Sequence, residues 1–322
     1  MKKALFVIFL LSTWIGPAIA EPGKPPRPSG NLLVNGDFEL GDFTGWYDIY
    51  PEPWPYGGIN GSNYGSDSRV TAPPELRETD DQLSALVLGS PDGIIVPNIF
   101  QRMPARPGDT FDLSGWIYSE TDMNPQSFSL LKIVFEDAQG FHLEPAEYLD
   151  GEPCPCFPWV GVESEYVDWN SEPRVWHERT ARGTAPEGTV RVIFFALNVD
   201  FGQFAFGPSR IWFDDLAVSV FPEEYSEQRL VDVQTILGAL NPDQPKVKSL
   251  VNWADQMFKM SRNDNISGAV ALLDRILTRV DGCFYRGVPD KKGSSADWVD
   301  DCEIQVPLTQ NLLLARDAMI QK

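Results

Sequence analysis

The chain has 322 residues, 46 Asp and Glu against 26 Lys and Arg, and a formal charge of −20 at pH 7. So acidic a chain argues against binding nucleic acid, which needs clustered Lys and Arg facing phosphates. It suits a neutral or cationic partner or divalent cations, and equally a chain whose charge serves only solubility. No stretch after the first twenty residues approaches transmembrane length.

Residues 1–20 read as a secretory signal peptide. Lys2 and Lys3 precede an apolar run from Ala4 to Ile15, and Ala18, Ile19 and Ala20 form a small-x-small cleavage site. Cleavage near Glu21 would remove two positive charges, taking −20 to −22, and would send the protein out of the cytoplasm, secreted or periplasmic. Residues 21–30, EPGKPPRPSG, are a Pro-rich extended linker.

From residue 31 to residue 221 the signals are of one kind. Short runs rich in Val, Ile, Phe, Tyr and Trp alternate with clusters of Gly, Pro, Asn and Asp. NLLVNGDFELGDFTGW opens with a short apolar strand. LSALVLG, TFDLSGWIYSE, SLLKIVFED, VRVIFFALNV and RIWFDDLAVSV follow. In TFDLSGWIYSE, Phe111, Leu113 and Ile117 share one face and Asp112, Ser114, Trp116 and Tyr118 the other, the period of a half-buried strand. No helical segment interrupts this region, so it reads as an all-β sandwich.

The character changes after Phe221. PEEYSEQ is the joint, and residues 222–243 read as a linker. In VKSLVNWADQMFKMS, Val247, Leu250, Val251, Ala254, Met257 and Phe258 recur at helical spacing, and Ile266, Val270, Leu273, Leu277 and Val280 repeat the pattern in NISGAVALLDRILTRV. Asp264 or Asn265 is a suitable N-cap. PLTQNLLLARDAMIQK supplies another helix with Pro307 in its first turn. Residues 244–322 are thus expected to form a helical module. Cys283 and Cys302 lie within it at a separation that favours a disulfide. Cys154 and Cys156 in EPCPCFPW leave a strained local disulfide, free thiols or a soft-metal site open; no third Cys or nearby His supports a metal, and a local disulfide is the expectation.

Two segments are too aromatic for ordinary solvent loops. YDIYPEPWPYGGINGSNYGSD carries Trp54 and Tyr56, and CFPWVGVESEYVDWNSEPRVWHE carries Trp169. Prolines or polar residues flank these three, which makes them candidates for exposure. Flat aromatic faces suit the apolar C–H faces of sugar rings. The competing expectation is that most such aromatics fold back into small satellite cores. Trp116 and Tyr118 could line a concave surface from their polar strand face, and Gln101 is a candidate hydrogen-bonding partner that could equally satisfy a buried backbone group. Trp46 is expected in the core.

Four features in order, covering about two thirds of the chain, carry a resemblance. They are the opening NLLVNGDFELGDFTGW, then IFQRMPARPGDTFDLSGWIYSE, then ARGTAPEGTVRVIFFALN, and the closing SRIWFDDLAVSV. Together they resemble the carbohydrate-binding modules of families four, nine and twenty-two, which implies a jelly roll with a cleft or concave face for a glycan. The resemblance also implies a structural calcium where the first and last strands meet, with Asp37 and Glu39 on one side and Asp214 and Asp215 on the other. The residues alone suit calcium or turn capping equally; calcium takes six to eight oxygens from carboxylates and carbonyls. The stretches SLVNWADQMFKMSRNDNISGAVALLDRIL and RVDGCFYRGVPDKKGSSADWVDDCEIQ resemble a small helical module at the C-terminal ends of exported bacterial proteins, which implies a spacer or protein-interaction unit.

No GxSxG, HExxH or phosphate-binding loop occurs, and the only histidines are His142 and His177. The expected function is therefore non-catalytic binding of a polysaccharide or cell-surface glycan. An extracellular adhesion or matrix protein is the alternative, and a polysaccharide lyase or glycoside hydrolase a weaker one.

Overall fold

The structure is a computed structural model that describes residues 31–46, 68–75, 83–88, 96, 98–145, 147–150, 152–153, 160–200, 209–221, 227–240, 244–286, 288–289 and 297–320. The leader, the Pro-rich linker, Trp54, Tyr56, Cys154 and Cys156 lie outside these residues.

Among the described residues the strands are β1 (Arg69–Thr71), β2 (Ser84–Leu88), β3 (Asn98–Pro104), β4 (Thr110–Ser119), β5 (Phe128–Glu136), β6 (His142–Leu143), β7 (Glu147–Asp150), β8 (Glu152–Pro153), β9 (Val162–Glu163), β10 (Val167–Asp168), β11 (Trp176–Thr184), β12 (Arg191–Val199) and β13 (Arg210–Phe221). They form two antiparallel sheets. The first has the order β1-β2-β13-β4-β11-β7; the second has β3-β12-β5-β9-β8, with β6 and β10 also paired to β5. The alternation read in β4 is realised: Phe111, Leu113 and Ile117 enter the core between the sheets, where Leu131, Ile133, Phe135, Val192 and Phe194 meet them from β5 and β12. The protein is a β-sandwich of jelly-roll type followed by helices.

The opening segment is not a strand. Residues 34–37 form turns, with Asn35 at φ 48° and Phe38 at φ 56°. The apolar run is anchored instead against the closing strand: Leu32 N–H donates to Val218 O at 3.0 Å and Leu216 N–H to Gly36 O at 2.8 Å. A Cβ at Gly36 would stand 2.1 Å from Leu216 O, so the close approach requires glycine. Trp46 is 7% exposed, packs on Phe38 and donates its indole N–H to Asn35 O at 3.0 Å.

The helices are α1 (Glu227–Ala239), α2 (Pro245–Arg262), α3 (Ile266–Leu277), α4 (Gly282–Arg286) and α5 (Cys302–Ile320). The expectation of a linker over residues 222–243 is corrected, because α1 occupies most of it. Leu230, Val233 and Leu237 follow i, i+3, i+7 spacing and are buried. Asn265 caps α3 by accepting Gly268 N–H at 3.1 Å. Pro307 lies inside α5 rather than in its first turn, since the helix begins at Cys302. The Cys283–Cys302 disulfide joins α4 to the start of α5, with Cα atoms 5.4 Å apart.

The helices are not an appended bead. Their buried faces and the sandwich interior form one continuous apolar cluster. Arg106 pairs with Asp232 of α1, and Gln310 of α5 donates to Leu32 O at 3.4 Å.

Candidate functional site

The outer face of the first sheet carries an aromatic row. In the strand register Leu86 faces Trp212, Trp212 faces Tyr118, and Tyr118 faces Trp176, so one row crosses β2, β13, β4 and β11. The Tyr118 and Trp176 rings are 5.2 Å apart. Tyr118 is only 1% exposed, and burial with the nearby Glu75 and Glu120 carboxylates raises its pKa above the usual phenol value against an opposing Arg174. Trp212 donates to Glu120 Oε2 at 3.1 Å, and Trp176 to Glu75 O at 2.9 Å. The row is therefore a satellite core. In the next row Trp116 is half-buried between Asp214 and Glu178.

A pocket lies beyond the end of β4. Ser119 follows Tyr118 in β4, and Pro173 and Arg174 lead into Trp176; Arg174 N–H donates to Ser119 O at 2.9 Å. Between them lies a cavity of about 240 Å³ lined by Thr121, Asp122, Met123, Asp168, Trp169 and Ser171 among others. The turn that holds Trp169 is built by Asp168. Its carboxylate accepts Asn170 N–H at 2.9 Å, and its own N–H donates to Ser171 Oγ at 3.0 Å. With its neighbours so fixed, Trp169 is 55% exposed. Tyr166, which precedes β10, stacks on Phe128 with ring centres 4.5 Å apart and is 36% exposed.

The outer face of the second sheet is closed. Phe100, Phe195, Ile193 and Leu197 are buried there, as are Lys132 and Glu136 at 1% and 0% exposure. Lys132 Nζ pairs with Glu163 at 2.9 Å, and Tyr166 OH donates to the other Glu163 oxygen at 2.7 Å. Glu136 is shared by Arg102 at 3.5 Å, Arg191 at 3.2 Å and His142 at 3.8 Å. Burial first, then Lys132 and Arg102, lower the His142 pKa to about 4. His177 lies on β11 of the other sheet, with Nε2 2.9 Å from Glu172 O. The two histidines thus belong to separate surroundings.

Of the four acidic residues expected to hold a metal, Asp37 lies in the opening segment and Asp214 on the closing strand, where backbone hydrogen bonds join the two; Glu39 and Asp215 flank them. Asp37 and Asp214 are buried, at 8% and 3% exposure, and Leu216 bonds to Gly36 between them. Asp214 Oδ1 accepts Asp215 N–H at 2.8 Å, and Asp215 sits at φ 46° where the strand bulges. Glu39 is exposed and accepts Leu83 N–H at 3.1 Å. Among the described residues no three His, Cys, Asp or Glu side chains form a group that could hold a metal ion. The set does not fit a cage made of side-chain carboxylates alone.

Of the sequence-derived candidates, the structure thus places Trp169 at a pocket, Trp116 half-buried on the sheet and Tyr118 inside the satellite core. Gln101 is 3% exposed and both its amide atoms engage the Val34 backbone. Asp122, Thr121 and Ser171 are not singled out by the sequence, since isolated Asp, Thr and Ser residues carry no spacing signal.

No family model matches the chain, and no curated protein matches it. Among solved structures it is similar to a family 61 carbohydrate-binding module in complex with β-1,4-galactotriose, at 13% identity over 59% of this chain and 97% of that one, TM-score 0.35. It is similar to a family 4 carbohydrate-binding module at 17% identity over 59% and 99%, TM-score 0.30. It is also similar to the enzymatically active domain of bacteriophage CBA120 tailspike protein 4, at 16% identity over 59% of this chain and only 21% of that one, TM-score 0.38. Likenesses this distant name no ligand for this chain; the two-sheet architecture rests on its own strand register.

Proposed function

We propose that this chain is a secreted, non-catalytic glycan-binding protein whose ligand stacks on Trp169. The observation that carries the reading is an exposed Trp169 at the edge of a cavity whose lining mixes apolar Met123 and prolines with hydroxyl and carboxylate side chains. A tryptophan left 55% exposed on a turn braced by its neighbours is an aromatic platform held ready, and stacking on a pre-ordered ring costs little side-chain entropy. Asp122, Thr121 and Ser171 supply donors and acceptors for ring hydroxyls. Export follows from the leader. The outer face of the second sheet, with Glu136 and Lys132 buried in it, is read as structural, and the loop end that carries Trp169 as the contact surface.

The reading includes a structural calcium between residues 36–37 and 214–216. Asp37 and Asp214 would each give a carboxylate, and main-chain carbonyls would give the remaining oxygens. A melting temperature raised by millimolar calcium and returned by EDTA supports the ion; an unchanged one removes it from the account.

Native gels cast with soluble polysaccharides test the function itself. Retardation of the wild type by at least one polymer, lost in Trp169→Ala, supports it. Equal mobility in every gel rejects it.

A further inference from the structure

We propose that the Trp169 pocket selects glycans carrying free, protonated amines, such as β-linked glucosamine units, over neutral and uronate-bearing ones. This rests on the glycan reading above and adds the chemical class of the ligand.

Three observations converge. First, the charged groups lining the cavity are Asp122 and Asp168, and among the described lining residues there is no Lys or Arg. Arg174 adjoins the pocket in sequence, but it is not a lining residue and its charge is felt at Tyr118. Second, the platform is tryptophan, the best of the aromatic faces for a cation. Trp169 lines one cavity with Asp122 and Asp168, and since the Asp168 carboxylate already accepts from Asn170 and Ser171, an ammonium group there would rely on the ring face and Asp122. Asp122 is exposed and Asp168 is half-buried, so the amine keeps part of its hydration while gaining charge-assisted hydrogen bonds. Third, the chain carries −20, and −22 once Lys2 and Lys3 leave with the leader. That field draws a cationic polymer towards the surface and repels a uronate polymer, whatever the local contacts. At about 240 Å³ the cavity lies just below the usual range of roughly 300–1,000 Å³ for drug-sized ligands, which suits one sugar ring rather than a buried oligomer.

A polycation could also adsorb to so acidic a protein without using the pocket, so the test uses short oligomers and a competitor. Calorimetric titration with glucosamine trimer, N-acetylglucosamine trimer, cellotriose and galacturonic acid trimer compares the wild type with Trp169→Ala and Asp122→Asn. Both substitutions fall on exposed side chains, so both variants should remain folded. The proposal expects the glucosamine trimer to bind best, by about tenfold over the acetylated and neutral trimers. Each substitution should remove about that factor, and a short oligolysine of equal charge should not displace the sugar.

Equal affinity for amino and neutral trimers, still lost in Trp169→Ala, would overturn the selectivity and leave the glycan reading standing. Amino-sugar binding that survives Trp169→Ala and yields to oligolysine would be surface adsorption and would overturn the proposal. No binding of any trimer, together with no retardation in the polysaccharide gels, would overturn both.

Discussion

Gln101 holds Val34 by both of its amide atoms: Nε2 donates to the Val34 carbonyl at 2.6 Å and Oε1 accepts the Val34 N–H at 3.0 Å. One side chain of β3 thus anchors the opening segment on a second side, beside its backbone bonds to β13. Both partners are buried, at 3% and 2% exposure. Gln101→Leu leaves a buried N–H and C=O unsatisfied, which costs about 3 kcal/mol and lowers the melting temperature by roughly 10 °C. Affinity for a glycan at Trp169 should not change, because Gln101 is not among the residues lining that cavity. Thermal melts beside glycan titrations separate the two effects.

The disulfide closes a loop with a sequence separation of 19, which constrains the unfolded chain by about 3 kcal/mol. The bridge is tied further to α5 by the Cys283 N–H, which donates to Gln305 Oε1 at 2.8 Å. Since α5 shares the sandwich core, the loss is felt by the whole molecule. Urea unfolding of Cys283→Ser/Cys302→Ser should show a lower midpoint, with near-UV signals from the sandwich and far-UV helix signals still moving together. Separate transitions for helices and sandwich would contradict the shared core.

His142 makes stability depend on pH. Its folded pKa, about 4, lies below the unfolded value of about 6.5. Between these values the unfolded chain binds a proton that the folded chain does not, so stability rises with pH across that window and falls as the solution is acidified through it. The full difference amounts to about 3 kcal/mol. His142→Gln should flatten the pH profile of the melting temperature between roughly pH 4 and 6.5, relative to the wild type, while the acid response of the carboxylates remains in both.

Much of the framework was legible in residue order. The alternation in β4 and the apolar runs of β2, β5, β12 and β13 mark strands because each buries one or both faces. The helical spacing of α2 and α3 and the Cys283–Cys302 pair were equally plain. The opening segment misled because Leu32, Leu33 and Val34 are as apolar in an anchored turn as in a strand; only the positive φ of Asn35 and Phe38 separates the two. Helix α1 hid behind the polar PEEYSEQ, although Leu230, Val233 and Leu237 held its signal. The fate of Tyr118 depended on Trp176 and Trp212, which reach it only through cross-strand register. Trp169 could be singled out because its exposure follows from local turn chemistry, with Asp168, Asn170 and Ser171 around it.

The most direct test of the account watches the Trp169 indole itself. In a ¹⁵N–¹H spectrum of the tryptophan side chains, Trp169→Phe identifies its signal among the nine that remain once the leader, with Trp14, is removed. Titration with an oligosaccharide drawn from a polymer that retards the wild type should shift that signal saturably, ahead of those of Trp116, Trp176 and Trp212. A Trp169 signal that stays in place while another tryptophan shifts would contradict the account.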